Sequence, residues 1–146
     1  ALRERALDVF GMPAEEVAVA AHAGQLDRGR LRDLVPPVFA TAAAGDPVAD
    51  SIVQRLVEEV AGMAGALVRR MDLVDRPVDV VLGGGILQAQ RSLLVPRIAA
   101  SLERVTRKAQ LHVLDVAPVA GALASALQWV GATPDQIERS RGYLLG

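Results

Sequence analysis

Apolar residues recur every three or four positions through the first half of the chain, which predicts helices. Leu2, Ala6, Val9 and Phe10 line one face of a short helix that stops at Gly11. Pro13 suits the first turn of the next helix, and Glu15 and Glu16 favour the positive end of its dipole. That helix ends near Gly24. A third helical stretch spans about 27 to 44. Pro36-Pro37 must kink or divide it, because proline removes a backbone donor and clashes with the preceding turn. In "AGDPVAD", residues 44–50, Gly45 suits a C-cap, Asp46 an N-cap and Pro47 the first helical turn. The helix that follows carries the clearest stripe: Val48, Ile52, Leu56, Val60, Met63, Leu67 and Met71. Ala49, Val53, Val57, Ala64 and Val68 widen it. A helix of about 25 residues is roughly 37 Å long. Its wide apolar face requires a sheet or several helices to pack on.

The period changes at Val78. Val78, Val80, Val81 and Leu82 form a dense apolar run, expected of a strand covered on both faces, as in a parallel sheet. A helix with Leu94, Ile98, Leu102 and Val105 on one side follows, then a second strand over 111–116, "LHVLDV". Pro118 to about Val130 reads as a helix carrying Val119, Leu123, Leu127 and Val130, and 134–145 as a last short helix. Strand–helix–strand–helix order predicts parallel neighbours joined by a right-handed crossover. Two strands do not make an independent sheet. Missing chain or another subunit is therefore expected to complete it. Wide apolar stripes and open sheet edges also predict self-association, for instance as a homodimer.

Composition narrows the function classes. A chain of 146 residues is one domain or half of a larger one. A net charge of −1 offers no basic surface for nucleic acid. The absence of cysteine excludes disulfides and thiolate metal sites. No apolar run reaches the roughly 18 residues of a membrane span, so no membrane partner is expected and a cytoplasmic location is. The N-terminal "ALRERALDVFG" is charged and amphipathic, unlike a signal peptide. It lacks an initiator Met and opens in mid-helix, as expected of a piece of a longer protein.

Gly83, Gly84 and Gly85 follow the first strand. Ligands of open α/β sheets bind beyond the carboxyl ends of the strands. Glycine permits φ > 0 and lets a flat ligand approach with no Cβ in the way. A tight strand-to-helix turn uses glycines in the same manner. The run is neither the G-x-G-x-x-G fingerprint nor a P-loop. Taken in order, "VDVVLGGGIL", a helix and "LHVLDVAPVAGALASAL" resemble the C-terminal end of the sugar-kinase, hsp70 and actin superfamily. More narrowly, the chain is similar to the family that groups N-acetylglucosamine kinases with BadF/BadG/BcrA/BcrD-type ATPases. The "AGDPVA" turn before a long helix and the closing "PVAGAL" belong to the same resemblance, which runs from about Ala1 to Val130.

The resemblance implies an α/β fold, the C-terminal portion of an actin-like ATPase (ribonuclease H-like) domain. It would be helix-rich, with two readable parallel strands, and residues 1–146 would form one nucleotide-side unit. The implied activity is that of an ATP-dependent small-molecule kinase, using ATP/ADP with Mg²⁺ and phosphorylating an amino sugar such as N-acetylglucosamine. Gly83 and Gly84 match the glycine pair that lies against adenosine in this family, and Gly85 extends the turn. The segment before "AGD" also approaches the adenine in such proteins. That makes Phe39, with Val38 and Ala42 beside it, a candidate to stack on the base. Phe39 fits a core position on an amphipathic helix as well. The family's first phosphate loop of Asp-x-Gly-x-Thr type, its second, Gly-rich phosphate loop and its catalytic Asp have no counterpart in this sequence. Phosphoryl transfer depends on such parts, so no catalytic residue is assigned and the chain alone is expected to be inactive.

The remaining polar residues read as structural. His22 and His112 lack a second ligand at metal spacing. Glu58-Glu59 lies on the solvent side of the long helix, not as a convergent pair of acids. Arg69, Arg70, Arg104, Arg107 and Lys108 suit helix C-termini. Capping accounts for Asp46, and Asp115 is expected to have no ligand role. Two alternatives stand beside the kinase. One is an ATPase that activates a radical dehydratase or reductase, a class that holds its iron–sulfur cluster with cysteines, of which this chain has none. The other is a non-enzymatic dimerisation or interaction module in which the glycines are only a turn.

Overall fold

The computed structural model describes residues 2–27, 29–116 and 118–145. Helix α1 (Leu2–Phe10) packs on α2 (Ala14–His22), and Gly11 (φ +69) turns the chain between them. Phe10, Val17 and Leu26 form a small core of their own. Pro13 stands just before α2, in extended backbone (φ −57, ψ 150), rather than in its first turn. The stretch from 27 to 44 is divided, as its prolines require. A 3₁₀ turn, Arg30–Leu34, leads into α3 (Val35–Ala43). Pro36 and Pro37 fall in the first turn of α3, where their missing N–H groups cost no helical bond.

The long helix α4 (Pro47–Arg70) packs against α3 and against α6 (Arg91–Leu102). Its buried face is not the stripe of largest residues. Ala49, Val53, Val57, Ala61, Ala64, Gly65 and Val68 are buried, whereas Val48, Ile52, Met63 and Leu67 are exposed, as is Met71 just past the helix. Small side chains line the seam because two helices approach α4 closely there. At Gly65 an added Cβ would lie 3.0 Å from Val105 Cγ2.

Strands β1 (Val78–Leu82) and β2 (Ala109–Val113) pair in parallel, from Val78 opposite Ala109 to Leu82 opposite Val113. Between them run the short helix α5 (Gly85–Ala89) and α6. The second strand starts two residues earlier and ends three earlier than its apolar run predicts. Its partner turns away at Gly83, so the last ladder bond goes from Leu114 N to Leu82 O (3.0 Å). Cover on both faces is also not found. Leu82 and Val113 are buried, while Asp79, Val81, Gln110 and His112 on the alternate positions are exposed. The sheet is lined by helices on one side, and its main core joins Phe39, Val53, Val57, Ala61, Leu82, Leu94, Ile98 and Val113.

Helices α7 (Pro118–Trp129) and α8 (Pro134–Leu145) pack on each other, and Trp129 is 95% exposed. The accessible surface is 10150 Å². A compact monomer of 15.4 kDa would expose about 7,200 Å². The α/β, helix-rich architecture thus leaves unusually large areas uncovered. Among the described residues no helix is long and apolar enough to cross a membrane.

Candidate functional site

At the carboxyl end of β1 the chain passes through Gly83 and Gly84 and enters α5 at Gly85. Gly84 has φ +122 and ψ 148, in a region essentially closed to residues with a Cβ. The other two glycines have ordinary φ. A Cβ on Gly83 would make an ordinary 3.8 Å contact with Leu114 Cδ1, and one on Gly84 or Gly85 would meet nothing within 4 Å. The conformation therefore demands glycine at Gly84 only, and the space beside Gly84 and Gly85 is open.

Two side-chain bonds fasten this turn to the segment after β2. Gln88 Nε2 donates to the Leu114 carbonyl (2.7 Å), and Arg91 Nη1 reaches both Asp115 oxygens (3.0 and 3.3 Å). The two post-strand segments thus lie side by side at the carboxyl ends of the sheet. Asp115 is occupied by Arg91, in an exposed pair worth at most about 1 kcal/mol.

Beside Gly85 opens a groove of about 470 Å³, lined by Arg32, Val35, Pro36, Gly85, Ile86, Ala89 and Gln90. A second hollow of about 250 Å³ shares Val35 and Ile86 with it and continues past Val38, Ile52 and Leu56. The volume of the first falls in the usual small-ligand range of about 300–1,000 Å³. Val35 and Pro36 at the start of α3 and Gly85 at the end of the glycine turn, far apart in the chain, therefore line the same groove, whereas Gly83 and Gly84 are among the lining residues of neither hollow. Arg32 and Gln90 supply its polar groups. Nothing in the sequence marks these two, because both stand outside the periodic runs. A third, largely apolar groove of about 410 Å³ lies between α1, α3 and α4, with Arg3 and Asp46 among its lining residues.

Phe39 is 6% exposed, within the main core cluster. It is also among the residues that line the second hollow. Burial in the core explains its apolar character, and stacking on a base remains only what the resemblance implies. Val38 is partly buried and does line the hollow; Ala42 packs on the core. Asp46 Oδ1 accepts from Val48 N and Ala49 N, both at 3.0 Å, as its capping role requires. His112 Nε2 pairs with Asp79 Oδ1 at 2.8 Å across the exposed face of the sheet. Glu58 accepts from Gln54 Nε2 (3.1 Å) on the solvent side of α4. Lys108 Nζ bonds the Asp75 carbonyl (2.6 Å) in the loop before β1 instead of capping a helix. Among the described residues no three His, Cys, Asp or Glu side chains cluster as metal ligands would. Comparison with protein-family models, curated proteins and solved structures found no match.

Proposed function

We propose that this chain is the adenosine-side, C-terminal portion of the nucleotide-binding domain of a cytoplasmic ATP-dependent small-molecule kinase. The substrate class that fits the resemblance is an amino sugar such as N-acetylglucosamine. One observation supports the reading: Gly85, which ends the glycine turn after β1, and the first turn of α3 line one groove of small-ligand size. In this reading Gly83, Gly84 and Gly85 let the ribose or base approach the backbone. Phosphates and Mg²⁺ would be held by loops of a type this sequence does not contain. The chain contributes binding and orientation, and catalysis is assigned to no residue in it.

Thermal unfolding of the natural full-length protein with ADP and Mg²⁺ tests this. A ligand at 100 times its Kd stabilises the fold by about 2.7 kcal/mol, so a clear rise in melting temperature is expected. No rise at millimolar ADP would contradict the reading. It would favour the interaction module instead, for which the uncovered apolar surface speaks.

A further inference from the structure

Two polar side chains line the groove beside Gly85: Arg32, from the 3₁₀ turn, and Gln90, which joins α5 to α6. Among the described residues no hydrogen bond or ion pair engages the Arg32 guanidinium or the Gln90 amide. Arg32 is exposed and Gln90 half-buried. The other described residues of the lining are Val35, Pro36, Gly85, Ile86 and Ala89, so neither a carboxylate nor an aromatic ring stands among them. Apolar walls with a few convergent polar groups suit the flat body of a heterocycle. A guanidinium is planar and stacks on aromatic faces, whatever groups their edges carry. An amide both donates and accepts, and one held by no bond is free to turn over. In one orientation its oxygen accepts from the adenine amino group while its nitrogen donates to the adjacent ring nitrogen. Turned over, it accepts from the guanine ring N–H and donates to the guanine carbonyl. Rejecting one purine takes a group that cannot reverse, such as a carboxylate, which accepts only and so favours guanine.

Resting on the nucleotide reading above, we propose that this groove is the base subsite and that it accepts adenine and guanine nucleotides alike. The Arg32 guanidinium stacks on the base, and the Gln90 amide pairs with its edge in whichever orientation the base requires. The apolar walls favour the base over the phosphates as the part that enters. Stacking is indifferent to which purine is present, and the one edge-reading side chain is reversible. Nothing else in the described lining penalises either base. The nucleotide class is therefore purine, and Gln90 is the residue through which a preference for one base is set.

Titration calorimetry of ADP, GDP and adenosine into the natural full-length protein is the test, with melting temperatures to correct for the folded fraction. Wild type is expected to bind ADP and GDP with affinities within about tenfold of each other. Arg32→Ala should weaken ADP, GDP and adenosine by the same factor, about tenfold, through loss of the stack. Gln90→Glu should shift the ratio of the two affinities toward GDP by about tenfold, because a carboxylate pairs with the guanine N–H groups and faces the adenine ring nitrogen unpaired. A wild-type preference for either nucleotide beyond that range would overturn the proposal. So would an Arg32→Ala protein that binds as wild type does, or a Gln90→Glu protein with an unchanged ratio. A loss in Arg32→Ala confined to ADP and GDP, with adenosine unaffected, would place Arg32 on a phosphate and overturn the stacking. Wild type that binds neither nucleotide ends the kinase reading and this inference together. Wild type that binds ADP and rejects GDP ends this inference alone.

Discussion

The turn at Gly45-Asp46-Pro47 and the turn at Gly83-Gly84-Gly85 each end one element and open a helix. They are held differently. In the first, Gly45 takes φ +88, Asp46 accepts from two backbone N–H groups, and Pro47 has no N–H to satisfy. The backbone N–H groups of Gly45 and Asp46 are bonded too, to the carbonyls of Ala42 and Thr41. In the second, α5 begins with no capping side chain and Gly84 sits where only glycine is at ease, while a Cβ on Gly45 or on Gly84 would alike meet nothing within 4 Å. Local structure accounts for glycine, aspartate and proline at the first turn. It leaves the second with an open backbone surface at the place where α/β sheets receive ligands.

Substitutions sharpen that contrast. The largest effect is expected from Gly84→Val. No atom obstructs the side chain, so the loss arises from the backbone conformation, on the order of 1–3 kcal/mol in thermal or denaturant unfolding. An unchanged midpoint would mean that Gly84 does not adopt a positive φ. Asp46→Ala should cost about 1 kcal/mol, and Asp46→Asn much less, because Asn caps nearly as well. If Asp46→Ala keeps its stability while nucleotide affinity falls, Asp46 belongs to the ligand side and the contrast is broken. Gly83→Ala should stay within about 0.5 kcal/mol of wild type, since its Cβ meets Leu114 at 3.8 Å in ordinary contact. A larger loss would show that the turn is tighter than its geometry implies.

Local signals were legible and long-range ones were not. Asp46, Pro47 and Gly45 act through neighbours within a few residues, so the cap could be read from "AGDP". Gly84 could be read as a positive-φ position, although nothing distinguished it from Gly83 and Gly85. The buried face of α4 could not be read. An arc of roughly 220° contains two candidate faces, and the choice depends on α3 and on α6, which begins more than 20 residues after α4 ends. For β1 the alternation was present: Asp79 interrupts the run, and only Val81, apolar but exposed, disguises the open face. The burial of Phe39 could not be decided from the sequence, because most of its core partners, Val53, Val57, Leu94 and Ile98 among them, arrive from later elements.

Isothermal titration of ADP with Mg²⁺ into the full-length wild type, Asp46→Ala and Gly84→Val tests the central claim most directly. Melting temperatures recorded beside each titration correct for the folded fraction. Each lost contact of about 1.4 kcal/mol lowers affinity tenfold. Gly84→Val is therefore expected to bind at least tenfold more weakly, because its side chain fills the open space beside the turn, while Asp46→Ala binds as wild type does. Equal affinities for all three proteins, or an Asp46→Ala variant weaker than Gly84→Val, would contradict a nucleotide site at the glycines.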